Sequence, residues 1–340
     1  PTRRTAGTPT PVPDRAAATQ DRVALDPAAA GPAAWEADLS AVLGTVAAAG
    51  AVAVGGLAWG LAEAQAFALR RVVVPVLEPG SRPVTVLHLS DLHVTPRQTR
   101  KLAWIRALAA EEPDLVVGTG DFLAHADAVT PVLEALDPLL DRPGVFVRGS
   151  NDYFEPRPLN PLKYFMGPSK VRSAPRPLRT QDLTTGLTSR GWIDLDNARG
   201  VLELGGRTVT FVGVDDPHIG RDAMPADDGR RGELHIGVAH APYRRVLEGF
   251  RAEGSQIVFA GHTHGGQVCV PGWGALVTNC DLDTRRAKGL SGWPGARPDA
   301  GGEESVWLHV SAGLGTSPYA PVRFACRPEA TVLTLTAREG

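Results

Sequence analysis

The chain has 340 residues, 43% of them hydrophobic and 21% charged, enough for a large soluble core and about two domains. Its 35 basic and 37 acidic residues leave a net charge of −2, which excludes a generally basic nucleic-acid binder because no surplus charge is left to neutralise many phosphates. Three cysteines (Cys269, Cys280 and Cys326), none in a CxxC pair, exclude a disulfide-stapled fold.

Residues 1–38 read as a disordered tail. Six prolines fall between Pro1 and Pro32 among Ala, Thr and scattered charges, and no apolar period is present. Arg3-Arg4 lies 35 residues ahead of the first apolar run, too far for a twin-arginine export signal. That run, Leu39–Ala62, has 24 residues and no charge. As a helix it is long enough to cross a bilayer of about 30 Å, and its Ala, Gly and Val content also fits a docked helix. Arg70, Arg71 and Arg82 follow the run, against Arg22 before it. The positive-inside rule then places a membrane-associated protein's C-terminal body in the cytoplasm.

From Val84 the pattern changes to short apolar runs with polar ends. Val84–Leu89 reads as a buried strand, as do Leu115–Val117, Val145–Val147, Thr208–Val212, Leu234–Val238, Ile257–Ala260, Val306–Val310 and Thr331–Leu335. Lys101–Glu111 and Val129–Leu140 are the clearest helices. The alternation predicts an α/β domain over 83–337 with a largely parallel core.

Residues able to bind metal recur where those strands end. The endings are Asp91-Leu92-His93, Gly120-Asp121, Gly149-Ser150-Asn151-Asp152, His240, and Gly261-His262-Thr263-His264-Gly265-Gly266-Gln267. Ligands of open α/β sheets bind beyond the carboxyl ends of strands. Imidazole and carboxylate donors suit two divalent ions of manganese, iron or zinc, and the lack of thiolate removes the sign of a structural zinc. Asp-x-His and His-x-His in an extended segment would put both side chains on one side.

As a set, these residues resemble the calcineurin-like metallophosphoesterase superfamily, and in particular its bacterial branch with Gly-His-Thr-His-Gly-Gly-Gln and a late Gly-Leu-Gly-Thr-Ser, here Gly313–Ser317. The resemblance covers about Pro83 to Leu335. It implies a four-layer αββα sandwich. It also implies one ion held by Asp91, His93, Asp121 and His264, and another held by Asp121, Asn151, His240 and His262, with Asp121 bridging. The third motif departs from the family's Gly-Asn-His-Asp/Glu. An ungapped match puts Ser150 at the Asn column and Asn151 at the His column. Asn151 offers the only carboxamide, so it is taken as the ligand, and Ser150 is left to touch substrate. The family's substrate-facing histidine is missing. Asp152, His125 and His218 are the candidates to protonate the leaving oxygen.

The expected activity is a dinuclear phosphoester hydrolase, a phosphodiesterase in which a hydroxide shared by two metals attacks phosphorus in line. A phosphomonoesterase or pyrophosphatase acting on a nucleotide-linked lipid is the alternative, and a non-catalytic binding module is a third. The segment 153–190 reads as an insertion with seven basic residues (Arg157, Lys163, Lys170, Arg172, Arg176, Arg179 and Arg190) and with Tyr153, Phe154, Tyr164, Phe165 and Met166. A cap of that chemistry suits a lipid-linked phosphoester. Tyr153 and Arg244 are further substrate-binding candidates. His88, His235 and His309 lie inside apolar runs and read as core or supporting histidines.

Overall fold

A computed structural model describes residues 32–158 and 176–339. The chain divides into two units, 1–54 and 55–340. Helix α1 (Pro32–Glu63) opens on a proline, which suits a first helical position, and continues through an Ala-rich run. Pro32 to Asp38, read from sequence as tail, already belong to this helix. Its stretch Asp38–Glu63, 26 residues with a mean hydropathy of 1.9, is long and apolar enough to cross a membrane.

The second unit holds two six-stranded sheets. The first runs in the order β1 (Ala68–Leu77), β14 (Glu329–Ala337), β2 (Val84–Leu89), β3 (Leu115–Thr119), β4 (Gly144–Val147) and β5 (Ile193–Asp194). The second runs β12 (Gly289–Trp293), β13 (Val306–Val310), β9 (Ile257–Ala260), β8 (Leu234–Val238), β7 (Arg207–Gly213) and β6 (Arg199–Leu204). A short hairpin, β10 (Cys269–Val270) and β11 (Gly274–Ala275), stands apart from both. Neighbours β2 to β5 are parallel, as are β13, β9, β8 and β7. Parallel pairing is what aligns their carboxyl ends.

The apolar strands explain the layering. Val86, Val117 and Val145 of the first sheet share one buried cluster with Phe211, Ile236 and Phe259 of the second. On the outer face of the first sheet lie α2 (Thr99–Ala107), α3 (Val129–Leu136) and α5 (Thr180–Thr188), where Ile105, Val132 and Leu183 join Leu87, Val116 and Phe146. On the outer face of the second sheet, α6 (Arg244–Ala252) packs Val246, Leu247 and Phe250 on Val212, Val258 and Leu308. Each such side chain contributes roughly 1.5–3 kcal/mol on burial. The result is the α/β/β/α order that the resemblance implied.

Three further expectations change. The domain begins before residue 83, because β1 pairs in parallel with β14 from Ala68 onward. Exposed Arg70 and Arg71 and the internal Pro75 hide that strand from a pattern search. The end of the predicted insertion is core: Leu183 and Leu187 of α5 are fully buried. Lys163, Tyr164, Phe165, Met166, Lys170 and Arg172 lie outside the described residues. Finally, α2 and α3 stop early, each passing into a single 3-10 turn, Leu108–Glu111 and Asp137–Leu139.

Candidate metal centre

Five strand ends converge. Asp91 and His93 follow β2, Asp121 follows β3, His240 follows β8, and His262 and His264 follow β9. After β4, Ser150 and Asn151 open the one-turn helix α4 (Ser150–Tyr153). The expectation of extended Asp-x-His and His-x-His segments is corrected here. Asp91, His93, Asp121, His262 and His264 have φ of 49°, 42°, 54°, 67° and 50°, all in the left-handed region. Non-glycine residues there cost about 1–3 kcal/mol each and persist only where surrounding contacts hold them. Asp91 N donates to Gly120 O and His93 N to Asp121 O, both at 2.9 Å, which ties the first turn to the second. Two glycines are required by contact: a Cβ on Gly149 would stand 2.3 Å from Asp121 Oδ1, and one on Gly313 would stand 2.5 Å from Asp91 Cβ.

The side chains meet within a few ångströms. His93 Nε2 lies 3.2 Å from His264 Nε2, 3.4 Å from Asp121 Oδ2 and 4.0 Å from Asp91 Oδ1. His264 Nε2 is 3.5 Å from Asp91 Oδ1, and His240 Nε2 is 3.6 Å from Asp121 Oδ2. His262 Nδ1 sits 3.3 Å from His240 Nε2. Among the described residues two groups offer ligand atoms within 4.8 Å of one another: Asp91, His93 and His264, and Asp91, Asp121 and His240. Asp91 is common to both, and Asp121 also faces an imidazole from each. Asn151 joins the second group, because its Nδ2 donates to Asp121 Oδ2 and its backbone N to Asp121 Oδ1, each at 2.7 Å. Half a turn about χ2 would bring its amide oxygen to the same place.

The donor set fits cations. Asp91 Oδ1 and His93 Nδ1 are buried with no hydrogen-bond partner. Groups left so would ordinarily cost about 1–3 kcal/mol each. Burial, then His264, holds His93 well below the ordinary histidine pKa, and burial, then His218, does the same to His262. Burial and then Arg323 bring His264 down to about 3. These rings are therefore neutral and present lone pairs, the form that binds metal. Burial opposes charge on His240, but Asp121, Asp216 and Asp91 outweigh it and raise its pKa to about 10. Its Nδ1 donates to Thr119 O at 2.7 Å, which leaves Nε2 facing the carboxylates.

The other sequence candidates scatter. His218 is at the centre: its ring lies 4.4 Å from that of His262, and its Nδ1 lies 3.2 Å from Tyr243 Oη. Asp152 is fully buried and accepts from Gly149 N and Leu123 N, both at 3.0 Å, so it fastens the turn that carries Asn151. His125 is half-exposed and accepts from Asp127 N at 3.0 Å. Ser150 Oγ lies 3.5 Å from Asn151 Nδ2, beside the centre. Tyr153 is used elsewhere, its hydroxyl donating to Asp215 Oδ1 at 2.8 Å with Arg221 over its ring. Arg244 reaches over Trp293 at 5.8 Å.

Three supporting residues escaped the sequence reading. Arg323, with no exposed surface, donates to the carbonyls of His264, Ala312, Gly313 and Gly315 at 2.7–3.2 Å and so fixes both loops around His264. Lys101 donates to Leu92 O at 2.7 Å and His93 O at 3.3 Å, and burial, then Arg323, lowers its ammonium to about 7. Asp216 is buried with Oδ2 unpaired, and burial raises it to about 7. A lysine in an amphipathic helix and an arginine in an irregular loop give no local sign of burial. For Asp216 the acidic pair Asp215-Asp216 just after an apolar strand was the available signal.

The model of the calcineurin-like phosphoesterase family matches residues 84–266, more than half of the chain. The chain belongs to this family. It is a phosphoester hydrolase, and its family is metal-dependent. This phosphoesterase is 27% identical over 281 residues to phosphodiesterase YaeI of Escherichia coli K12, covering 79% of this chain and 88% of that one. It is 25% identical over 268 residues to the uncharacterised protein YpbG of Bacillus subtilis 168, covering 76% and 84% respectively. Among solved structures it is similar to TT1561 of Thermus thermophilus, with a TM-score of 0.37 and 11% identity over 68% of this chain and 91% of that chain.

Proposed function

We propose that this phosphoesterase is a dinuclear phosphodiesterase held at a membrane by α1, with its body on the cytoplasmic side. The observation that carries the dinuclear reading is the pair of adjoining ligand groups that share Asp91. Asp91, His93 and His264 would hold one ion. Asp121, Asn151, His240 and His262 would hold the other, with Asp91 and Asp121 between the two. Manganese, iron or zinc fits these donors. When bound, the pair supplies Lewis acidity and a water of lowered pKa. The chain's own residues do the rest. The left-handed turns hold the ligands rigidly, so little reorganisation accompanies the reaction. Ser150, beside Asn151, orients the phosphoryl group. Burial, then His240, lowers the His218 pKa to about 4, so its ring is neutral. With Nδ1 accepting from Tyr243 Oη, its Nε2–H would donate a hydrogen bond to the leaving oxygen as charge develops there, without giving up the proton, in the place of the histidine missing from the third motif. The phosphodiesterase named among the relatives favours a diester over a monoester. The apolar helix favours a diester carried on a lipid.

The test is metal-stripped protein given back Mn²⁺, Zn²⁺, Fe²⁺ or Mg²⁺, assayed on bis-p-nitrophenyl phosphate and on p-nitrophenyl phosphate. Restored diester cleavage at two ions per chain is expected. Preference for the monoester would move the phosphomonoesterase reading forward, and saturation at one ion would end the dinuclear one. His218→Ala should slow diesters with alkyl leaving groups by about 10²-fold, yet spare the p-nitrophenyl diester, whose leaving oxygen needs little stabilisation. Equal loss on both would remove His218 from this role.

A further inference from the structure

Apolar side chains stand exposed along one rim of the body. Trp273 is 81% exposed at the tip of the β10–β11 hairpin, where its N donates to Val270 O at 3.0 Å and closes the turn. Val270 and Leu276 flank it, and both are exposed. Tyr319, also exposed, lies on the loop that follows Gly313–Ser317. Hydrogen bonds join these segments. Gln267 Nε2 donates to Ala320 O at 2.9 Å and Val322 O at 3.1 Å, and Cys269 N donates to Phe324 O at 2.8 Å. Arg323 N donates to Gly60 O at 3.0 Å, in the last turns of α1, where Leu57, Trp59 and Leu61 are exposed too.

The composition of this rim is unusual for the chain. Gln267–Asn279 and Ser311–Val322 contain no charged residue, although charged residues make up 21% of the whole. Water-facing loops normally carry such charges, and a contiguous exposed apolar surface marks an interaction site. Its aromatic residues are Trp and Tyr, whose apolar rings and polar tips favour the bilayer–water boundary. The rim is also continuous with the end of a helix of membrane-spanning length.

We propose that the rim formed by Val270, Trp273, Leu276 and Tyr319 seats in the interface of a lipid bilayer beside the end of α1. This rests on the reading of α1 as a membrane anchor and deepens the lipid-diester reading. Tyr319 is four residues beyond Gly315, whose carbonyl lies 3.2 Å from His264 Nδ1. Seating the rim therefore holds the metal centre close to the lipid surface. A phosphoester can then reach the ligands while its acyl part stays in the membrane.

The test uses the full chain in phosphatidylcholine vesicles with brominated acyl chains, read by tryptophan fluorescence. In a Trp35→Phe/Trp59→Phe background, the tryptophans at 192, 293 and 307 are buried and Trp273 is the most exposed of those remaining. Quenching is expected in this background, and adding Trp273→Phe should cut it at least about threefold. Quenching in the wild type but not in this background would keep the anchor and overturn the rim. Quenching in neither would overturn both. Trp273→Ser should also lower turnover of a vesicle-embedded diester about tenfold, the effect of losing roughly 1.4 kcal/mol of interfacial contact. Bis-p-nitrophenyl phosphate should be turned over as before. Equal loss on both substrates would overturn the rim and point to misfolding, and the quenching result does not depend on activity at all.

Discussion

The two sheets contribute different chemistry to one centre. The first sends both carboxylates, Asp91 and Asp121, with His93 and the amide of Asn151, whereas the second sends only imidazoles, His240, His262 and His264. The carboxylates among these candidate ligands thus come from one side. Where the sides meet, His240 is pulled into its charged form by Asp121, Asp216 and Asp91, against burial. His264 stands 3.5 Å from Asp91 Oδ1, yet burial and then Arg323 hold it neutral. The difference shows that the same residue type at equivalent strand ends is set by the charged side chains packed around it, from whichever segment they come.

The strongest way to break the comparison is to remove the shared charge. Asp121→Ala takes away the carboxylate that lies within 3.6 Å of imidazoles from both sheets. Diester turnover should fall roughly 10³-fold or more, since metal-based stabilisation of the transition state is worth several kcal/mol. Circular dichroism should stay native, and unchanged turnover at saturating Mn²⁺ would refute the assignment.

A smaller effect is expected from the imidazole side's support. Arg323→Met leaves the carbonyls of His264, Ala312, Gly313 and Gly315 without their donor. Metal affinity should drop about 10–100-fold, as for other residues that orient a ligand, and unfolding should cost about 3 kcal/mol less. Calorimetric titration with Mn²⁺ and urea unfolding would read the two effects. Normal affinity would make Arg323 a purely structural residue.

The smallest effect lies beneath the centre, where the sheets touch through His88 and His309, whose Nδ1 atoms are 2.8 Å apart. Burial, then His309, holds His88 well below the ordinary value, and burial alone brings His309 from 6.5 to about 3. Both rings are neutral when folded, so the unfolded chain takes up protons first as pH falls. Stability is therefore full above about 6.5 and is lost as pH falls from there toward 3. A His88→Leu/His309→Leu variant should show a flatter decline between pH 6.5 and 4.5, by up to about 1.4 kcal/mol per pH unit for each ring. Parallel urea-stability curves for the two proteins would contradict this.

Much of the fold was legible because buried parallel strands are near-continuous apolar runs. Leu234–Val238, Ile257–Ala260 and Val306–Val310 have the bounds expected from sequence. Strand β1 was not, because its exposed Arg70 and Arg71 break the run and its partner is far away in sequence. At the centre, the residue types and their order were readable, since metal chemistry restricts both. The left-handed turns were not, because no glycine marks Asp91 or His264 themselves. Nor were the roles of Asp152 and Tyr153, which are set by contacts with Gly149, Leu123 and Asp215 that only packing creates.

The first sheet has one further consequence, for synthesis. Its strand β14 lies between β1 and β2, and Ala68 pairs with Glu329, 261 residues later. At about 5–20 residues per second, β1 waits roughly 15–50 s on the ribosome before its neighbour exists. An unpaired strand edge invites pairing with other chains. Exposed Arg70 and Arg71 and the internal Pro75 make β1 a poor template for that. The same residues that conceal the strand from a pattern search protect it while the rest of the body is being made.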